Sequence, residues 1–177
     1  MKTELVELPV ATADGEFTAH YSEKGLAGLN FPNTGRAVKP RVVPALILRW
    51  HGATTKALKS ILAGREPKTF PPLDTAGTAF QKSVWNALRK ISLGKTKSYG
   101  EIAAAIGRPK AVRAVGGACG ANPIPVLVPC HRVLAANKKL GGFSGGLDWK
   151  RSLLEREGIK FLRRRRGIFV ENCPENF

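Results

Sequence analysis

Ser98-Tyr99-Gly100-Glu101-Ile102-Ala103-Ala104-Ala105-Ile106-Gly107-Arg108-Pro109, followed by Lys110-Ala111-Val112-Arg113-Ala114-Val115-Gly116-Gly117-Ala118-Cys119-Gly120-Ala121, reads as two short helices joined by a tight turn. Ser98 is a natural N-cap for the first, Tyr99 to Ile106, in which Ile102 and Ile106 lie one turn apart. Gly107-Arg108-Pro109 breaks it, and the second helix, Lys110 to Ala121, turns Val112, Val115 and Cys119 inward. Such a pair is either an ordinary helical hairpin or a helix-turn-helix. The outward surface tips the reading. Ala111, Ala114, Gly117, Ala118 and Ala121 are small, with Arg113 alone among them. Small residues let a backbone approach a partner closely at a cost in helix propensity, so this is read as a contact face.

The charge around this element points the same way. The chain of 177 residues carries a net charge of +16, unevenly spread. Residues 78–166 hold 19 basic and 4 acidic side chains, whereas residues 1–77 hold 10 and 7. Such asymmetry suggests a polyanion-binding part attached to a nearly neutral one. Cys119, Cys130 and Cys173 are an odd number without short-spaced pairing, which argues against a disulfide framework and for a reducing compartment. His20, His51 and His131 are scattered and no CxxC is present, so no metal site is expected. Neither a secretory signal nor a bilayer-spanning apolar run is apparent, so a soluble intracellular protein is expected.

Upstream, Leu5–Val10, Glu16–Tyr21 and Leu26–Phe31, separated by Asp14-Gly15 and Lys24-Gly25, predict an antiparallel meander. After a loop containing Pro and Gly, the spacing of Ala57, Leu58, Ile61 and Leu62 predicts a helix over Thr54–Ala63, ended by Gly64. Glu66 to Gly77, with Pro67, Pro71 and Pro72, reads as a linker between a domain of residues 1–77 and one of residues 78–177. Thr78 caps a helix through Ile91, with Phe80, Val84, Leu88 and Ile91 on one face. The fold class is therefore α+β: a small N-terminal antiparallel sheet with a helix, then a helical part containing a helix-turn-helix.

Chemistry concentrates after Ile124, where an apolar run closes on Pro129-Cys130-His131-Arg132-Val133. Buried free cysteines are commonly inert. A nucleophilic thiol needs a base or cation nearby, and His131 adjoins Cys130. Neighbours on a strand point to opposite faces, so contact requires a turn or a bridging water after Pro129. Asp148 is read as the cap of a helix from Trp149 to Glu157, stopped by Gly158, with Trp149, Leu153 and Glu157 on one face. An acid in the last turn opposes the helix dipole, which suggests pairing with an imidazolium. Asn122 is either a local cap before Pro123 or part of the site, and Gly141-Gly142-Phe143-Ser144-Gly145-Gly146 is either a flexible linker or a loop whose amides approach a ligand.

Taken in order, Tyr99-Gly100-Glu101-Ile102-Ala103, Arg113-Ala114-Val115-Gly116, Asn122-Pro123, Val128-Pro129-Cys130-His131-Arg132-Val133, Phe143-Ser144-Gly145-Gly146-Leu147 and Glu157-Gly158 resemble the O6-alkylguanine-DNA alkyltransferases from Phe80 to Gly158. The resemblance implies double-stranded DNA carrying O6-alkylguanine as partner, with O4-alkylthymine a further lesion. It implies that the helix-turn-helix is a winged one, with minor-groove binding, irreversible single-turnover transfer to Cys130, no cofactor, a monomer, and a cytoplasmic or nuclear location according to the cell. The resemblance further implies that His131, through a water, takes the thiol proton, and that Glu157 orients and charges the imidazole. Asn122 braces the turn between helix and cysteine. By the same resemblance, Tyr99, Val133, Phe143, Ser144 and Gly145 are expected to contact the flipped base. Arg113 fills the gap it leaves, and Ala111, Ala114, Gly117, Ala118 and Arg132 meet the DNA. Phe143 stands where the family commonly has tyrosine. Cys119 is read as core. The N-terminal half resembles the family only in layout and has no cysteine/histidine cluster of the kind some members use for zinc.

A different class, a DNA-binding thiol sensor of transcription, stays open. It predicts reversible oxidation and sequence-specific binding, for which the alanine-glycine face offers few base-reading side chains.

Overall fold

The computed structural model describes residues 5–32, 42–164 and 167–171. Cys173 and the last two arginines of the Arg163–Arg166 run lie outside the described residues. Three strands, β1 (Val6–Thr12), β2 (Gly15–Tyr21) and β3 (Leu26–Asn30), form an antiparallel sheet in the order β1-β2-β3. Alternation buries Phe17, Ala19 and Tyr21 on one face of β2, against helix α1 (Ala45–Leu62). The meander is where the turn residues place it.

Helix α1 begins nine residues before the expected Thr54. Ala45-Leu46-Ile47-Leu48 is apolar all round, so no helical period marks it. In the structure only Ile47 of these four is buried, while Leu46 and Leu48 are exposed.

Helix α2 (Ala79–Leu88) opens on a capping box: Thr78 Oγ1 accepts from the Gln81 N–H at 3.2 Å, and Gln81 Oε1 accepts from the Thr78 N–H at 2.9 Å. It stops at Leu88, short of the expected Ile91, which is buried in the turn that follows. Two-residue strand β4 (Lys97–Ser98) leads into α3 (Tyr99–Ala105) through a second capping box between Ser98 and Glu101. Helix α4 (Val112–Gly120) follows the Gly107-Arg108-Pro109 turn and completes the helix-turn-helix. Its buried stripe is Val115, Ala118 and Cys119, an i, i+3, i+4 set. Two expectations are corrected here. Val112, in the first turn, is 39% exposed rather than inward, and Ala118 is 3% exposed rather than on the contact face. The Trp85 indole N–H donates to the Ala118 carbonyl at 2.8 Å, which fixes that side of α4 against α2.

The chain then crosses buried Ile124–Val128, makes a single 3-10 turn at Cys130–Arg132, and enters β5 (Val133–Leu134), parallel to β4. Helix α5 (Leu147–Arg156) starts from Gly146 at φ 90°, a conformation suited to glycine. Asp148 lies inside its first turn with a solvent-exposed side chain and does not cap it, which corrects that reading. Beyond Gly158 lies a hairpin without a counterpart in the sequence reading, β6 (Lys160–Arg164) with β7 (Gly167–Glu171). Val170, Leu134, Leu140, Leu154 and Ile159 form its small core. The main hydrophobic core is continuous from Val10 to Leu153.

Candidate active site

Cys130 lines a cavity of about 290 Å³, near the small end of ligand pockets. Tyr99, Gly116, Cys119 and Gly120 form the helix-turn-helix side of that cavity, and Gly142, Phe143 and Ser144 the loop side. The 3-10 turn at Cys130–Arg132 supplies the bend after Pro129 that contact between Cys130 and His131 would require.

Asn122 ties the floor together. Its Nδ2 donates to the Val128 carbonyl at 2.8 Å and lies 3.1 Å from Cys130 Sγ, while Oδ1 accepts from the Ile124 N–H at 3.1 Å. One amide thus caps the turn and touches the sulfur, so the two roles weighed for Asn122 coincide.

His131 is fully buried, with Nε2 2.8 Å from Glu157 Oε1. A carboxylate only accepts, so Nε2 carries the hydrogen and neutral Nδ1 is left with a lone pair. Buried Nδ1 has no hydrogen-bond partner within the described protein, which suits it to receive a proton. Burial holds the imidazole below its ordinary pKa against the upward pull of Glu157.

The expected partner of Glu157 is thus within hydrogen-bond distance, and Arg132 joins it as a second, permanently charged partner. Arg132 Nε donates to Oε2 at 2.9 Å, Nη2 to Oε1 at 3.0 Å, and Nη1 to the Ile91 carbonyl at 2.6 Å. The Gly94 N–H adds a bond to Oε2 at 3.2 Å. Burial pushes the Glu157 carboxyl up, but the bonds and charges of His131 and Arg132 outweigh it and leave the pKa lowered. Arg132 is 4% exposed and spends its guanidinium on these groups within the protein, not on the outer face where the DNA contact is expected.

Burial raises the Cys130 thiol above its ordinary pKa, so the resting side chain is protonated. The Asn122 amide, the Lys150 charge and the N–H groups of Cys130 and His131 pull the other way. Lys150 is fully buried, its Nζ 2.6 Å from the Val133 carbonyl and 3.2 Å from that of Gly142. Burial lowers its pKa to about 8. Sequence reasoning does not single out Lys150. The available signal is its place in the Lys150, Leu153, Leu154, Glu157 register, where a lysine interrupts an apolar stripe.

Of the residues expected to contact a flipped base, Tyr99, Phe143 and Ser144 line the cavity. Val133 stands behind it, its carbonyl taken by Lys150. Gly145 is not in the wall: a Cβ there would come within 2.6 Å of the Phe31 ring, so this glycine permits close packing instead. Phe143 packs edge-on between Phe31 and His131, at centroid distances of 5.7 and 6.4 Å. Cys119 is buried, yet it borders the same cavity as Cys130. Outside, Arg113, Ala114 and Gly117 are exposed and Ala111 is half-buried. No group of His, Cys, Asp or Glu among the described residues could hold a metal ion, and no described helix is long and apolar enough to cross a membrane.

Comparison with known proteins places this geometry. Residues 79–159 match the family model of the 6-O-methylguanine DNA methyltransferase DNA-binding domain. Methylated-DNA–protein-cysteine methyltransferases of Haemophilus influenzae and Methanosarcina acetivorans are 54% and 55% identical over 91 and 105 residues. These matches cover 51% and 59% of this chain and 51% and 67% of the relatives, so the chain spans about half to two thirds of their length. The crystal structure of Mycobacterium tuberculosis OGT in complex with DNA superposes with a TM-score of 0.67 at 38% identity, covering 84% of this chain and 90% of that one.

Proposed function

The chain belongs to the 6-O-methylguanine DNA methyltransferase family, and on that premise we propose that it repairs O6-alkylguanine in double-stranded DNA by moving the alkyl group to Cys130. The target carbon lies inside the stacked duplex, so the base must swing out into the cavity bordered by Tyr99 and Phe143. The Cys130 proton passes through a water to His131 Nδ1, and Glu157 steadies the resulting imidazolium while Arg132 keeps Glu157 ionised. Sγ then bonds to the alkyl carbon as the carbon–O6 bond breaks. The freed guanine takes up one proton, restoring neutral His131. Burial raises the Tyr99 pKa, which keeps its hydroxyl protonated and able to donate to the departing base. The thioether offers water no easy leaving group, so each molecule acts once.

The observation that carries this reading is the buried His131, bonded to Glu157 through Nε2 and unpartnered at Nδ1, next in sequence to a thiol at the base of a cavity. We also infer that residues 78–177 form the DNA-binding unit, with α4 in the minor groove, Arg113 filling the vacated stack, and Ala111, Ala114 and Gly117 allowing close approach. Residues 1–77 form its N-terminal support. Intact mass after incubation with O6-methylguanine duplex tests the function. One methyl group per molecule, and no turnover beyond it, is expected; an unchanged mass with intact lesion contradicts it.

A further inference from the structure

The carboxylate assigned to the relay sits at the end of a helix, where backbones fray and the dipole disfavours an acid. Its neighbour Arg156 is held from the other half of the chain. Arg156 Nη2 and Nη1 donate to Asp14 Oδ1 and Oδ2 at 2.6 and 2.8 Å, and Nη1 also donates to the Leu62 carbonyl at 2.9 Å. Asp14 belongs to the tight β1–β2 turn, which Thr12 stiffens by donating from Oγ1 to the Gly15 carbonyl at 2.7 Å and accepting the Asp14 N–H at 3.1 Å. Leu62 is the last residue of α1. Gly64, at φ 65°, lies so close to the Arg156 carbonyl that a Cβ would stand 2.1 Å from that oxygen.

Two segments of the N-terminal half, the β1–β2 turn and the C-terminal end of α1, therefore converge on the residue before Glu157. A two-pronged arginine–carboxylate pair has a fixed geometry, unlike a single-point surface ion pair. Rotation of the last turn of α5 would swing Glu157 away from His131 and would have to break this pair.

We infer that Asp14 and Arg156 are positioning residues for alkyl transfer: the clasp sets the angular position of Glu157 and hence the tautomer and orientation of His131. The N-terminal half is thereby part of the reaction's machinery although it touches neither base nor thiol. This rests on the reading of Glu157 as the partner of His131 in the relay.

Single-turnover reaction with free O6-benzylguanine, which needs no duplex, tests it on the full chain. Asp14→Asn and Arg156→Met should each slow transfer by about tenfold, well inside the ~100-fold that a 1 Å misplacement can cost. Arg156→Lys, which keeps the charge and loses the fork, should fall between. Affinity for undamaged duplex should not change. Asp14→Asn added to Glu157→Gln should slow the reaction no further, because the clasp acts through Glu157. A wild-type rate for Asp14→Asn overturns the proposal, as does an equal slowing with and without Glu157. A wild-type rate for Glu157→Gln alone removes the relay reading itself, and the clasp role with it.

Discussion

Arg132 Nε lies 2.9 Å from Glu157 Oε2 with both side chains buried, and we propose that the arginine of the Cys-His-Arg sequence serves the carboxylate and not the DNA. Removing one partner of a buried pair leaves an uncompensated charge. Arg132→Met should destabilise the fold by about 3–5 kcal/mol in denaturant titrations. The salt dependence of binding to undamaged duplex should be preserved at a temperature where the variant is folded. A smaller salt slope with unchanged stability would return Arg132 to the DNA surface.

The pH dependence of stability follows from His131. Its folded pKa is lowered, so between that value and the ordinary value of about 6.5 the unfolded chain binds a proton that the folded chain does not. The His131 contribution is fully present above about pH 6.5 and declines as pH falls through the window. His51, also lowered by burial, contributes in the same direction. His131→Gln should flatten part of the decline of melting temperature between about pH 6.5 and 5. Identical slopes for the two proteins would mean that His131 is charged in the fold. The lowered carboxyls of Asp14 and Glu157 act only at more acidic pH.

Much of this arrangement is legible in the sequence, and the limits have physical causes. Local signals succeed where one residue decides, as at the Thr78 and Ser98 caps or the Gly158 stop, which lies at φ 85°. They fail where tertiary contact decides. Ala118 belongs by spacing to either side of α4, and only the Trp85 bond shows which. The start of α1 has no period to read. Arg132 in sequence is one more cation in a basic chain, since its partner Glu157 lies 25 residues away. The Arg163–Arg166 run leaves the β6–β7 hairpin no apolar alternation to read.

Arg113 separates binding from base extrusion. It is exposed on α4 among small residues. Arg113→Ala should keep most affinity for undamaged duplex, lose repair of lesions within duplex, and react at a near-normal rate with free O6-benzylguanine. A phosphate contact would instead lower the salt slope by about 1 and weaken all duplexes alike. Loss of reaction with the free base would show that Arg113 supports the cavity.

Cys119 and Cys130 border one cavity, so the identity of the acceptor is the most direct test of the account. Burial pushes the Cys119 thiol up to about 12, and among the described hydrogen bonds only Cys130 receives the Asn122 amide. Peptide mapping after reaction with O6-methylguanine duplex should place the methyl group on Cys130 alone, and Cys130→Ala should bind DNA and leave the lesion intact. A methyl group found mainly on Cys119, or lesion removal by the Cys130→Ala protein, would contradict it.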